Sequence, residues 1–182
     1  MRILQLCLAS LFLLTAFAAT VAAQATQPAP PPCEAPEFRQ FDFWVGDWDL
    51  TWPGQKSNEV QHGRNSISKK LGGCVIEEQF DGSKDAQLKG LSVSVYSPKS
   101  KKWQQTWVDD QGGYLDFTGE FSGGQMILSR HAQNAKGEDI TQRMVFKNIA
   151  GDSFDWSWEQ SKDHGATWTV VWPIHYVRRP AK

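Results

Sequence analysis

The chain has 182 residues, with 19 Lys and Arg against 20 Asp and Glu, for a formal net charge of −1. That balance excludes the phosphate backbone of nucleic acid and an acidic membrane surface as partners, since both are held by excess positive charge. The length suits one domain with a core of its own, and 9 tryptophans and 10 phenylalanines supply bulk to fill it.

Arg2 is the only charge in the first 23 residues. Residues 3–17 are an apolar run, and Val21-Ala22-Ala23 is a small-residue stretch of the kind signal peptidase cuts. This layout predicts a secretory signal over 1–23, removed after Ala23, and hence a periplasmic or secreted protein. The run is shorter than the roughly 20 residues of a spanning helix, so no membrane span is expected in the mature chain. Cys7 sits inside the run and not just after it, which argues against a lipoprotein anchor. Losing Arg2 takes the mature net charge to −2.

Residues 24–36 are rich in Pro, Ala and Gln and read as an extended linker. The domain is expected over 37–182, opened by a short helical turn within 36–43. Two cysteines remain after cleavage, Cys33 and Cys74. An even number in an exported chain predicts a disulfide, here from the N-terminal tail to the strand beginning near Gly73. No Cys and His share metal-ligand spacing, so no metal is expected.

From there on, short Gly, Asn, Asp and Pro clusters recur between segments rich in Trp, Phe, Val, Ile and Thr. That is the pattern of an all-β fold. Ten strands are predicted, at 46–52, 58–69, 74–81, 88–97, 102–110, 113–121, 124–132, 138–148, 152–160 and 166–179. Several alternate with period two. Phe154, Trp156 and Trp158 oppose Ser153, Asp155, Ser157 and Glu159. Leu91, Val93 and Val95 oppose Ser92 and Ser94. Trp168, Val170, Trp172, Ile174 and Tyr176 form one stripe. Such alternation buries one face and leaves the other solvated. Sequential hairpins without crossovers predict an antiparallel up-and-down meander, closed or nearly closed into a barrel, with a two-sheet sandwich as the alternative.

Gly46-Asp47-Trp48, at the start of the first strand, resembles the Gly-x-Trp signature of the calycins, the superfamily of lipocalins and fatty-acid-binding proteins. The resemblance implies a lipocalin-like barrel in which Trp48 closes one end and Arg178 or Arg179 packs over its ring. The segments 41–48, 73–78, 103–109, 159–168 and 176–179 are also similar to those of an uncharacterised bacterial exported family with such a barrel. That likeness implies fold and export but no activity. Nitrobindin-type haem barrels are more distant, with a His ligand near the end of the last strand. The terminal basic pair aligns Ile174 with that ligand and turns His175 outward, so haem is a minor alternative and no cofactor is expected.

The strand phase places Asn65, Glu78, Gln105, Asp109, Arg130 and Gln142 inward among the aromatics. Buried charges need partners or a ligand, so Arg130 is expected to pair with Glu78 or Asp109. The candidate ligand site is therefore Glu78, Gln105, Trp107, Asp109, Arg130, Gln142 and Trp156. Its expected occupant is a small apolar or aromatic molecule. Two alternatives stand beside this reading. One is an isomerase, cyclase or hydrolase using Glu78 or Asp109 as its base. The other is a structural or interaction module with a filled barrel. No nucleophile elbow and no His-Glu-x-x-His motif is present, and the four His residues lie on separate segments.

Overall fold

The computed structural model describes residues 33–180. The expected signal segment 1–23, with Cys7 and the Ala23 cleavage point, and residues 24–32 of the expected linker lie outside the described residues. All ten predicted strands form: β1 (Gly46–Pro53), β2 (Val60–Lys70), β3 (Val75–Asp81), β4 (Lys89–Ser97), β5 (Lys102–Asp109), β6 (Tyr114–Ser122), β7 (Gln125–Gln133), β8 (Asp139–Lys147), β9 (Ser153–Ser161) and β10 (Thr169–Arg178). Each pairs antiparallel with the next. β10 returns to β1 through Trp48↔Arg178, Leu50↔Tyr176 and the pairs between them, closing the barrel. Closure leaves no free edge strand, and it decides against the sandwich. Tight turns make the meander possible. Gly123 and Gly124 both take positive φ, 60° and 78°, and join β6 to β7 as a two-residue hairpin.

The expected helical turn is present as two 3-10 turns, Pro36–Arg39 and Asp42–Trp44. They plug one end of the barrel. Phe41 and Trp44 are buried there, edge-on to Trp103 and Phe146 respectively. Each such side chain contributes roughly 1.5–3 kcal/mol by burial. The Cys33–Cys74 disulfide ties this segment to the β2–β3 connection, as the cysteine count predicts.

Arg178, not Arg179, completes the plug. Its guanidinium carbon lies 4.1 Å from the Trp48 ring centroid, while Nη1 donates to the Val45 carbonyl (2.8 Å) and Nη2 to the Phe43 carbonyl (3.0 Å). Trp48 donates in turn from Nε1 to the Trp44 carbonyl at 2.8 Å. Gly46, at φ +134°, sits where the Arg178 guanidinium fills the space a Cβ would need. Among the described residues the Arg179 side chain makes only a long contact of 3.6 Å with Asp49, while its backbone amide donates to the Asp47 carbonyl at 2.9 Å.

Three expectations of facing are overturned. On β4 the apolar residues point out, with Leu91 50% and Val93 47% exposed, while Ser92 and Ser94 are buried. The reason lies on the neighbouring strands, whose inward Glu78 and Gln105 need hydroxyl partners. On β10 a register shift between Val170 and Trp172 breaks the stripe. Trp172, Ile174 and Tyr176 stay with the core, whereas Trp168 crosses to the outer face and lies under the Arg143 guanidinium, 3.7 Å from its ring centroid. On β9 the supposedly solvated face is covered, with Ser157, Glu159 and Ser161 all buried. Arg143 bonds Glu159 through Nε (2.7 Å) and Nη2 (2.6 Å), and the Trp168 ring caps the pair from the β9–β10 loop.

Candidate functional site

Alternation sends Phe80 from β3, Trp107 from β5, Phe117 from β6, Trp156 and Trp158 from β9 and Trp172 from β10 toward the axis. These aromatics do not fill it. Between the plug and the opposite rim they leave a cavity of 260 Å³, floored by Trp44 and reaching Leu88, Asp109 and Leu115 at the rim. The volume is close to the roughly 300 Å³ at which ligand pockets begin.

Three groups give this apolar space a polar side. Glu78 is buried on β3. Its Oε1 accepts from Asn65 Nδ2 at 2.7 Å and its Oε2 from Ser92 Oγ at 2.5 Å. Burial raises its pKa above the ordinary carboxylate range, and the bonds from Ser92 and Asn65 offset only part of that. Tyr176, on β10, accepts a second bond from Asn65 Nδ2 at 3.2 Å. Burial, and then the neighbouring Glu78 charge, drive its phenol pKa strongly up, so it stays neutral. Asp109 differs. Its carboxylate accepts from Gly113 N (2.7 Å), Trp107 Nε1 (3.0 Å) and Gln111 N (3.0 Å), which anchors the β5–β6 turn. Those bonds, led by the Gly113 amide, hold its pKa low. Asp109 is a turn anchor at the rim and a poor proton acceptor.

Of the seven residues that sequence reasoning nominated, Glu78, Trp107, Asp109 and Trp156 share this cavity. Gln105, Arg130 and Gln142 do not line it. Arg130 pairs with neither carboxylate; its Nη1 donates to Gln142 Oε1 at 2.8 Å. The β5–β6–β7 geometry explains the separation, because Arg130 and Gln142 are register partners on β7 and β8, across the barrel from β3. Sequence reasoning put Asn65 on the inward phase but gave it no role. It missed Ser92 and did not assign Tyr176 a polar role. Ser92 lay on the face that hydropathy assigns to solvent, so no signal was available for it.

Among the described residues no group of three or more His, Cys, Asp or Glu is placed to hold a metal ion. The haem-barrel comparison does not fit these residues. Ile174 faces the core, and His175 is on the outer surface with Nδ1 2.7 Å from Asp155 Oδ1. No helix among the described residues is long and apolar enough to cross a membrane. No family model matches the chain, and no curated protein is significantly similar to it. The closed barrel with its Trp48–Arg178 end is consistent with a calycin-like fold.

Proposed function

We propose that this is an exported binding protein that holds a small, largely apolar molecule inside the barrel. The observation that carries the reading is the 260 Å³ aromatic cavity with Glu78 and Tyr176 on one side. A solid interior would have favoured a purely structural module. Glu78 and Tyr176 offer hydrogen bonds to a polar end, while the indole and phenyl faces take up the rest. Export is supported by the signal-like segment and by the Cys33–Cys74 disulfide, since such bonds persist in oxidising compartments. The resemblance to the exported bacterial family points the same way. Protein recovered from the periplasm or medium should begin at Gln24; an intact Met1 end would sink the export reading.

Phenylnaphthylamine, a neutral apolar dye that brightens when desolvated, tests the cavity. It should titrate the folded protein to saturation at one site, and Leu115→Trp, which fills the rim, should abolish the signal without unfolding the barrel. Absence of saturable binding to the wild type would overturn the reading.

One observation favours a second reading, an acid–base enzyme. Glu78 is a buried carboxyl with a raised pKa beside a cavity, the setting of a general acid or base. Incubation with a metabolite extract, followed by mass spectrometry, separates the two. A product that disappears with Glu78→Gln identifies an enzyme, whereas unaltered recovery of a bound molecule identifies a carrier.

A further inference from the structure

Among the residues that line the aromatic cavity, only Glu78 and Asp109 are ionisable side chains of ordinary charge, and no Lys, Arg or His joins them. Arg130, the inward cation of β7, lies outside the lining and donates to Gln142. The two carboxyls occupy a regular place in the wall. Ser92 on β4 pairs with Glu78 on one side and Trp107 on the other, while Gly90, two residues away, pairs with Phe80 and Asp109. β3 and β5 thus each present one acid and one aromatic, at alternate corners of a rectangle, with only a serine and a glycine between them. The Phe80 and Trp107 rings meet over Gly90 with centroids 5.9 Å apart.

The other walls are set across one another and are not stacked. Trp172 stands edge-to-face with Trp156 (6.0 Å, 90°) and with Phe80 (5.9 Å, 86°), and Phe117 with Trp158 (5.7 Å, 84°). Rings at right angles wall a space on several sides, the arrangement that surrounds a cation with the negative faces of π systems. Glu78 lacks such a cation. Its two oxygens accept only from neutral donors, Asn65 and Ser92, and among the described residues it forms no salt bridge. A buried carboxyl without a counter-charge either keeps its proton or takes in a cation. Asp109 is held ionised at the rim by the Gly113 amide and the Trp107 indole, so the mouth of the cavity is negative in either case.

We propose that the cavity receives an organic ammonium ion, a protonated amine or quaternary ammonium group on a small apolar body. The charge rests beside Glu78 and the body against the tryptophans, and Asp109 draws the ion in through the rim. This rests on the ligand-binding reading above and adds the class of ligand.

Phenyltrimethylammonium and tert-butylbenzene test it, since they have nearly the same shape and differ in one charge. Each is titrated against phenylnaphthylamine bound in the cavity. On the wild type the cation should compete about tenfold more tightly than its carbon isostere, the scale of one desolvated cation–π contact. Glu78→Gln removes the carboxylate and keeps its shape; it should weaken the cation about tenfold and leave tert-butylbenzene within about twofold. Trp156→Leu removes one wall of the cage and should narrow the same preference, which keeps the test open if Glu78→Gln does not fold. An isostere that competes as well as the cation on the wild type would overturn the ammonium inference alone. So would a bound dye that yields to neither compound, or a preference that survives both variants. Failure of the dye itself to bind the wild type would remove the cavity reading and this inference with it.

Discussion

Glu78 is the residue at which the interior is most sensitive to pH. Burial raises its folded-state pKa above that of the unfolded chain, so the folded protein holds the proton to higher pH. The stability tied to that proton is complete below the ordinary carboxylate range and is lost as pH rises through the folded value. Glu78→Gln keeps an acceptor for Asn65 and offers a donor to Ser92 but cannot ionise. Urea unfolding at about pH 4 and about pH 8 should therefore show the variant gaining on the wild type at the higher pH. A constant gap would mean that Glu78 titrates normally. Arg178 offers a second residue-scale comparison. Arg178→Met removes the cation over Trp48 and leaves the part-buried Phe43 and Val45 carbonyls short of a donor, for a loss of about 2 kcal/mol. Arg179→Ala loosens only a long, partly exposed ion pair and should cost less than about 0.5 kcal/mol in the same melts. The sequence narrowed the end closure to two adjacent arginines and no further, because choosing between them requires the β1–β10 register.

At the scale of elements, what was legible and what was not divide cleanly. Glycine-marked turns and period-two runs located all ten strands to within a few residues. Facing was harder. The alternation of Leu91 and Val93 with Ser92 and Ser94 gave the right period and the wrong side. What belongs inside was set by Glu78 and Gln105 on the flanking strands, and hydropathy does not report a partner on another strand. The single-residue irregularity near Val171 inverted the Trp168 end of β10, and one residue is enough to turn a side chain through a sheet. The external Arg143–Glu159 pair was hidden for a related reason, since its cover arrives on a loop. Trp168→Ala should uncover that pair and lower stability by about 1–3 kcal/mol, with faster proteolysis in the β9–β10 loop. Dye binding in the interior should be unaffected; its loss would place Trp168 in the lumen after all.

For the molecule as a whole, covalent and non-covalent closure are separable. The ten strands close through backbone pairing alone, while Cys33–Cys74 fastens the plug segment from outside that ladder. The cysteines are 41 residues apart in sequence, and removing a cross-link over such a loop should cost on the order of 4 kcal/mol. Cys33→Ser/Cys74→Ser should keep the far-ultraviolet signature of the barrel and unfold at lower urea. Loss of the β signature under native conditions would show that the disulfide is needed for closure itself. The small residues of β4 have a different consequence. Gly90 lies beneath the Trp107 ring, which occupies the space of its missing Cβ, and Ser92 and Ser94 seat Glu78 and Gln105. β4 thus acts as a recessed wall that stores its neighbours' side chains and keeps the lumen clear. An enlargement at any one of these three positions would push a tryptophan, a carboxyl or an amide toward the axis while leaving plug and seam untouched. The shape of the lumen is therefore adjustable one step at a time from a strand absent from the cavity lining, a route by which descendants of this barrel would resize the cavity without disturbing its walls.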